Sequence, residues 1–160
     1  MLFLIAIALA ITAVVTAPSA VLETNVHIDA KPEAVWEVLT DAEAYQDWNP
    51  HIRSMTGHLE EGARITNVMQ TPTGGQITFR PRILALTPMQ ELRWLGRLGI
   101  PRVFDGEHYF LLEPAGDGTL FTNGETFRGI ALWWMSTEQF RESFEGMNWA
   151  LKARVEATQP

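Results

Sequence analysis

Between Ile52 and Phe127 the chain repeats one pattern: short runs rich in β-branched and aromatic residues, each closed by turn chemistry. The runs are Ile52–Leu59, Arg64–Gln70, Gln76–Leu86, Glu91–Leu98, Val103–Glu113 and Leu120–Phe127. The breaks are Glu60-Glu61-Gly62, Thr71-Pro72-Thr73-Gly74-Gly75, Thr87-Pro88, Gly99-Ile100-Pro101 and Ala115-Gly116-Asp117-Gly118. Parallel strands need a crossover of a dozen or more residues, and these breaks are too short for one. The pattern therefore predicts a meander of six antiparallel strands joined by tight turns.

Other elements flank the meander. Glu23–Ile28 alternates and reads as a strand starting near Val21. Lys31-Pro32-Glu33 opens a short helix with proline at its first position, where a missing N–H costs nothing. Val35, Trp36 and Leu39 give that helix one apolar face. A second short helix follows Asp41, a good N-cap, and ends at Asp47-Trp48-Asn49-Pro50. The last segment, Thr137–Ala157, predicts a helix of ~30 Å. Ser136-Thr137-Glu138-Gln139 matches a capping box, with Met135 placed to staple onto Phe140. Phe140, Phe144, Met147, Leu151 and Val155 fall on one stripe, while Glu142, Glu145, Trp149, Lys152 and Glu156 lie on the other side. The sheet is the one large apolar surface on which the stripe can rest, so the fold class is α+β.

Charge divides the chain in two. Met1 to Leu22 carries no charged side chain, and Leu2–Val15 is almost wholly apolar. All 12 Lys and Arg and all 19 Asp and Glu follow it, for a formal net charge of −7. We therefore divide the chain into a leader, residues 1–20, and one folded domain, residues 21–160. An uncharged stretch of this length is enough to span a bilayer, which takes ~20 residues. A retained single membrane anchor is one reading. A cleaved signal peptide exporting the domain to the periplasm or medium is the other, although no Lys or Arg precedes the apolar run. The acidic balance argues against nucleic acid as a partner. The absence of cysteine removes thiolate catalysis and Cys-ligated metals. His27, His51, His58 and His108 are scattered without metal-ligand spacing, so no metal is expected. No Gly-x-Ser-x-Gly or phosphate loop occurs, and no cofactor is implied.

The order of strand, two short helices, meander and long helix resembles the helix-grip layout. The residues that carry the resemblance are Ile28–Trp36, Tyr45–Pro50, Glu91–Gly96, Phe104–Phe110 and Phe144–Lys152. Together they resemble the START-like (SRPBCC) superfamily, in the bacterial branch labelled polyketide cyclase/dehydrase. Two features depart from that pattern: the apolar leader, and His51 and Trp149 where relatives tend to carry an apolar and a polar residue. The resemblance implies a curved antiparallel sheet wrapped around the C-terminal helix, with a cavity between them. By alternation and by the helix stripe, the lining would include Phe79, Trp94, Phe110, Asn123 and Phe127 from strands. Phe140, Phe144 and Met147 would join from the long helix, and Trp48 from the second short one. A filled core would use the same residues.

The last hairpin carries the chemistry. With Phe121 and Phe127 facing in, Asn123 and Glu125 face in as well, and His108 does so beside Phe110 and Leu112. Pairing Leu112 with Phe121 sets Phe110 opposite Asn123 and His108 opposite Glu125. Such a pair can pass protons, or it can simply anchor two strands. Two functions remain: binding an apolar or amphipathic small molecule (a lipid, quinone or polyketide-like ring), or a cofactor-independent cyclase/dehydratase using His108 and Glu125. A domain acting only through partner contacts is a third.

Overall fold

The structure, a computed structural model, describes residues 16–71 and 74–158. The apolar run through Val15 and two residues of the expected Thr71–Gly75 turn, Pro72 and Thr73, lie outside the described residues. The strands are β1 (Ser19–Ile28), β2 (Ile52–Thr56), β3 (Thr66–Gln70), β4 (Gln76–Phe79), β5 (Arg82–Thr87), β6 (Glu91–Arg97), β7 (Asp105–Ala115) and β8 (Gly118–Arg128). The helices are α1 (Pro32–Thr40), α2 (Tyr45–Trp48) and α3 (Arg141–Glu156). The strands form a five-stranded sheet in the order β1-β8-β7-β6-β5 and a three-stranded sheet in the order β2-β3-β4. All the strand pairings are antiparallel, as expected for tight turns.

Four expectations need correction. The strand expected to start near Val21 begins at Ser19, which pairs with Arg128 while Ala20 pairs with Phe127. The run Gln76–Leu86 is two strands in two sheets, broken at Arg80-Pro81. Pro81 has no N–H to donate to a ladder. Its carbonyl instead accepts from Ile65 N (3.1 Å), and Ile83 exchanges bonds with Gly62 and Ala63 (3.0 and 2.9 Å). The chain thereby crosses from the small sheet to the large one. Ile77 on the small sheet is exposed, whereas Ile83 on the large one is buried.

The long helix is also shorter than expected. Thr137–Phe140 forms a 3₁₀ turn and regular α-helix starts at Arg141. Ser136 Oγ accepts from Glu138 N (3.3 Å), but Gln139 Nε2 donates to the Ser136 carbonyl (2.7 Å), so the capping box does not close reciprocally. The tight turn sets the Phe140 ring on Phe127, 5.5 Å apart and nearly parallel. In α2 the cap is Ala44 rather than Asp41, whose carboxylate accepts from Ala44 N (3.3 Å) one turn earlier.

The helix stripe packs as read. Phe144, Met147, Leu151 and Val155 are buried, and Trp149 stands outside at 62% exposure. Apolar residues gather in two clusters. The larger joins α1, α2 and the inner sheet face around Leu39, Tyr45, Trp94, Phe110 and Leu151. The smaller consists of Leu22, Phe127 and Phe144, with Phe104, Leu132 and Phe140 packed against it.

Candidate functional site

The β7–β8 hairpin turns at Gly116, whose φ of 62° suits the first central position of a two-residue turn. That turn fixes the register: Leu112 pairs with Phe121, Phe110 with Asn123 and His108 with Glu125. His108 Nδ1 lies 3.4 Å from Glu125 Oε2, a long contact with both side chains mostly buried. A carboxylate only accepts, so Nδ1 carries the hydrogen, and in the neutral imidazole Nε2 keeps its lone pair. Gly106 on β7 makes room for the acid, because a Cβ there would lie 1.9 Å from Glu125 Oε1.

Aromatic rings enclose the imidazole. Trp94 stacks on it at 5.1 Å and 10°, Phe110 meets it edge-on at 4.7 Å, and Phe144 of α3 tilts over it at 5.2 Å. A second polar group stands next to this cage. Asn123 Nδ2 donates to Asn148 Oδ1 on α3 (3.0 Å) and to the Phe144 carbonyl (3.4 Å). Asn148 Nδ2 donates to Thr24 Oγ1 (3.0 Å), whose hydroxyl donates to the Asn123 carbonyl (3.3 Å). Thr24, Asn123 and Asn148 are all buried. Phe110 and Leu151 belong to one apolar cluster and Phe127 and Phe144 to the other, so His108, Glu125, Asn123 and Asn148 form a polar seam between them.

Buried polar side-chain atoms are nearly always hydrogen-bonded. Here His108 Nε2, Asn123 Oδ1, Asn67 Oδ1 and Trp48 Nε1 are buried and meet no partner among the described residues. The Asn123 amide nitrogen and the His108 Nδ1–H are engaged, which leaves Asn123 Oδ1 as an acceptor and, in the neutral imidazole, His108 Nε2 as a second.

Residues 19–157 match the family described as polyketide cyclase/dehydrase and lipid transport. The chain belongs to that family. No curated protein matches its sequence at a significant level. Solved structures of START-like helix-grip proteins share its fold. A Rhodobacter sphaeroides protein is 18% identical with a TM-score of 0.72, over 87% of this chain and 93% of its own. A START superfamily protein of Mycobacterium smegmatis is 19% identical with a TM-score of 0.68, over 87% and 99%. The di-domain ARO/CYC StfQ of the steffimycin biosynthetic pathway is 14% identical with a TM-score of 0.69, over 87% of this chain and 52% of its own. At these identities the likeness is one of fold. For a member of this family the fold suggests binding of a hydrophobic ligand.

Of the residues the sequence singled out, the structure brings together His108, Glu125, Trp94, Phe110, Asn123 and Phe144. Met147 is buried in the larger cluster and Trp48 packs against it, 4.9 Å from the Tyr45 ring. Phe79 is half-buried on β4, opposite Asn67. Phe127 and Phe140 stack on each other in the smaller cluster, one layer away from the imidazole. Sequence reasoning missed Thr24, Asn67, Gly106 and Asn148. Thr24 lies in phase with Leu22 and Val26, and Asn148 lies four residues after Phe144 on the helix stripe, so both signals were present as polar residues at apolar positions. Among the described residues no group of three His, Asp or Glu side chains is arranged to hold a metal ion. Two open surface clefts lie elsewhere. One is bordered by Pro32, Met89, Leu111 and Pro114, and the other by Asp29, Lys31, Glu37 and Asp117.

Proposed function

We propose that this protein binds an apolar small molecule bearing at least one hydroxyl, held between the large sheet and α3 at the His108–Asn123 seam. The observation that carries the reading is the pair of buried polar atoms without a protein partner, Asn123 Oδ1 and His108 Nε2, the second an acceptor in the neutral imidazole, set among Trp94, Phe110 and Phe144. A ring or chain fits the aromatic walls, and a hydroxyl donates where the protein has acceptors to spare. Entry requires the Phe144 and Trp94 rings to part, because they contact the imidazole directly. A membrane held through residues 1–20 is the natural source of such a guest.

The His108–Glu125 geometry favours one second reading. An imidazole oriented by a carboxylate through Nδ1 has its Nε2 lone pair directed away from the acid, as a general base requires. In that reading Nε2 removes a proton next to a carbonyl and returns it to oxygen, the chemistry of aldol cyclisation and dehydration.

Paired probes test the reading. 1-Naphthol and naphthalene differ by one hydroxyl, and one hydrogen bond of about 1 kcal/mol gives about a fivefold difference in Kd. The chain is expected to prefer naphthol by that factor, and His108→Phe or Asn123→Leu to remove the preference while keeping naphthalene affinity. Equal affinity for the two probes in the unmodified chain sinks the proposal. Glu125→Gln separates the two readings, since a binding protein tolerates it better than a base that needs its imidazolium stabilised.

A further inference from the structure

Three backbone segments meet at one end of the large sheet. The loop after β6 closes through Leu98 N to the Phe104 carbonyl (2.9 Å) and turns with Gly99 and Arg102 in the left-handed region, at φ 78° and 66°. Against it lies the 3₁₀ turn Ile130–Trp133: Ile130 N donates to the Arg102 carbonyl (3.0 Å) and Ala131 N to the Val103 carbonyl (3.1 Å). The third segment is the entry to β1, where the Pro18 carbonyl accepts from Gly129 N (3.1 Å). Gly129 has φ 151°, and a Cβ there would lie 2.3 Å from the Val103 carbonyl oxygen. Only glycine lets the three converge.

This junction presents apolar surface to solvent. Leu98 is 51% exposed, Ile100 68%, Trp133 47% and Trp134 80%. The two indoles meet edge-to-face at 5.8 Å. Clustered exposed apolar side chains of this size mark a contact surface. Arg97 ends β6, Arg128 ends β8 and Arg102 lies in the loop between β6 and β7, with Asp105 as the acid among them, 3.6 Å from Arg97 Nε. The end is locally basic on a chain whose formal net charge is −7.

The chain that arrives here indicates what covers it. Pro18 is preceded by uncharged sequence back to Met1, almost wholly apolar over Leu2–Val15. Thr16 to Pro18 supply at most ~10 Å of extended chain, so a bilayer holding that stretch brings its headgroups to the junction. Tryptophan favours that boundary, with its ring in apolar surroundings and its N–H wet. Arginine reaches lipid phosphate with its stem along apolar surface.

We propose that this end of the domain docks on a phospholipid bilayer, with Trp133, Trp134, Leu98 and Ile100 at the headgroup boundary and Arg128 on a lipid phosphate. The smaller apolar cluster then lies directly behind the docked face, since Phe104 and Leu132 belong to the two docking segments. Phe144 of the same cluster touches His108. A guest leaving the bilayer meets apolar side chains all the way to the seam. The docking rests on the membrane reading of residues 1–20 and not on the ligand reading.

The absence of cysteine makes the test direct. Trp134→Cys, Ile100→Cys and Trp149→Cys each give the full chain one labelling point, at side chains exposed enough to leave the fold intact. Each carries a nitrobenzoxadiazole label and is reconstituted with phosphatidylcholine–phosphatidylglycerol vesicles, where flotation shows membrane attachment. Labels at 134 and 100 are expected to shift to the blue and to be quenched several-fold more by lipid-borne nitroxide than the label at 149. Flotation with equal quenching at all three positions overturns the docking and leaves the anchor standing. Stronger quenching at 149 overturns it in favour of the outer face of α3. A label at 134 shielded from water but not reached by nitroxide overturns it in favour of a protein partner. Failure to float overturns both docking and anchor.

Discussion

Tyr109 shows how one side chain on the outer face keeps the inner face in register. Its ring covers Gly124, where a Cβ would lie 2.3 Å from a ring carbon. The Arg93 guanidinium stands over the ring at 4.7 Å and also donates to Glu91 (2.6 Å) and Glu107 (2.8 Å). The Tyr109 hydroxyl donates to Glu23 Oε2 (2.8 Å), so one phenol ties β1, β6, β7 and β8 behind the His108–Glu125 pair. Burial first, and then the carboxylate that accepts its hydrogen bond, push the phenol up to about 12. A group raised in the folded state contributes stability that is complete below its unfolded value, about 10 for tyrosine, and is lost as pH rises through the folded value. The protein should therefore lose stability between about pH 10 and pH 12 from this group. Tyr109→Phe is expected to cost about 1 kcal/mol at neutral pH, below the usual value for a charged acceptor because Glu23 is exposed. It should also flatten that alkaline slope. Urea melts at several pH values measure both, and a slope unchanged by the substitution would show that another group sets it.

At the scale of the element, the β7–β8 hairpin was legible before any coordinates, and the reason is physical. A two-residue turn and a side-chain period of two leave one register in which Phe110, Leu112, Phe121 and Phe127 all face in, and that register also sets His108 against Glu125. What stayed hidden depends on contacts between elements far apart in sequence. Asn148 joins Asn123 only because α3 crosses β8 there, and no spacing along the chain reports that. The break at Pro81 was printed in the sequence, but periodicity carried the strand across it. The 3₁₀ start of the last helix goes with Phe140 stacking on Phe127, a tertiary contact that no capping motif reports. Gly106 is the clearest case of a residue whose role needs coordinates. It looks like a weak point in a strand, yet it is the floor on which the Glu125 carboxylate rests. Gly106→Ala is expected to push that flexible carboxylate off His108 without altering either residue of the pair. Nitrogen–proton correlation spectra of the imidazole should change from a single Nδ1–H tautomer to a mixture, at little cost in melting temperature. A tautomer that survives the substitution would mean that Glu125 does not set it.

At the scale of the whole molecule, the start of β1 is tied to the end of β8 and to the turn that follows it. The family match begins at residue 19 and β1 begins at Ser19, so the first strand and the recognisable sequence start together. Among the described residues no helix is long and apolar enough to cross a membrane. A chain starting at Pro18 keeps the carbonyl that accepts from Gly129, together with the Ser19–Arg128 and Ala20–Phe127 pairs. It is expected to fold and to melt where the full chain melts. A chain starting at Val21, the boundary suggested by charge and alternation alone, loses all three. The strand would still be held by its remaining eight pairs, Val21–Thr126 through Ile28–Thr119. The expected loss is about 1–2 kcal/mol for two or three hydrogen bonds, or roughly 3–6 °C in melting temperature. The loss should be local in origin. Hydrogen exchange at the amides of Ile130 and Ala131 should quicken, because Gly129 no longer fixes the turn that carries them against Arg102 and Val103. Loosening of those two amides with β6–β7 unaffected would identify the chain entry as the clamp on the Trp133–Trp134 end. If the two truncated chains melt together and exchange alike, Ser19 and Ala20 hold nothing. If the chain starting at Pro18 does not fold, the apolar run belongs to the core and not to a membrane.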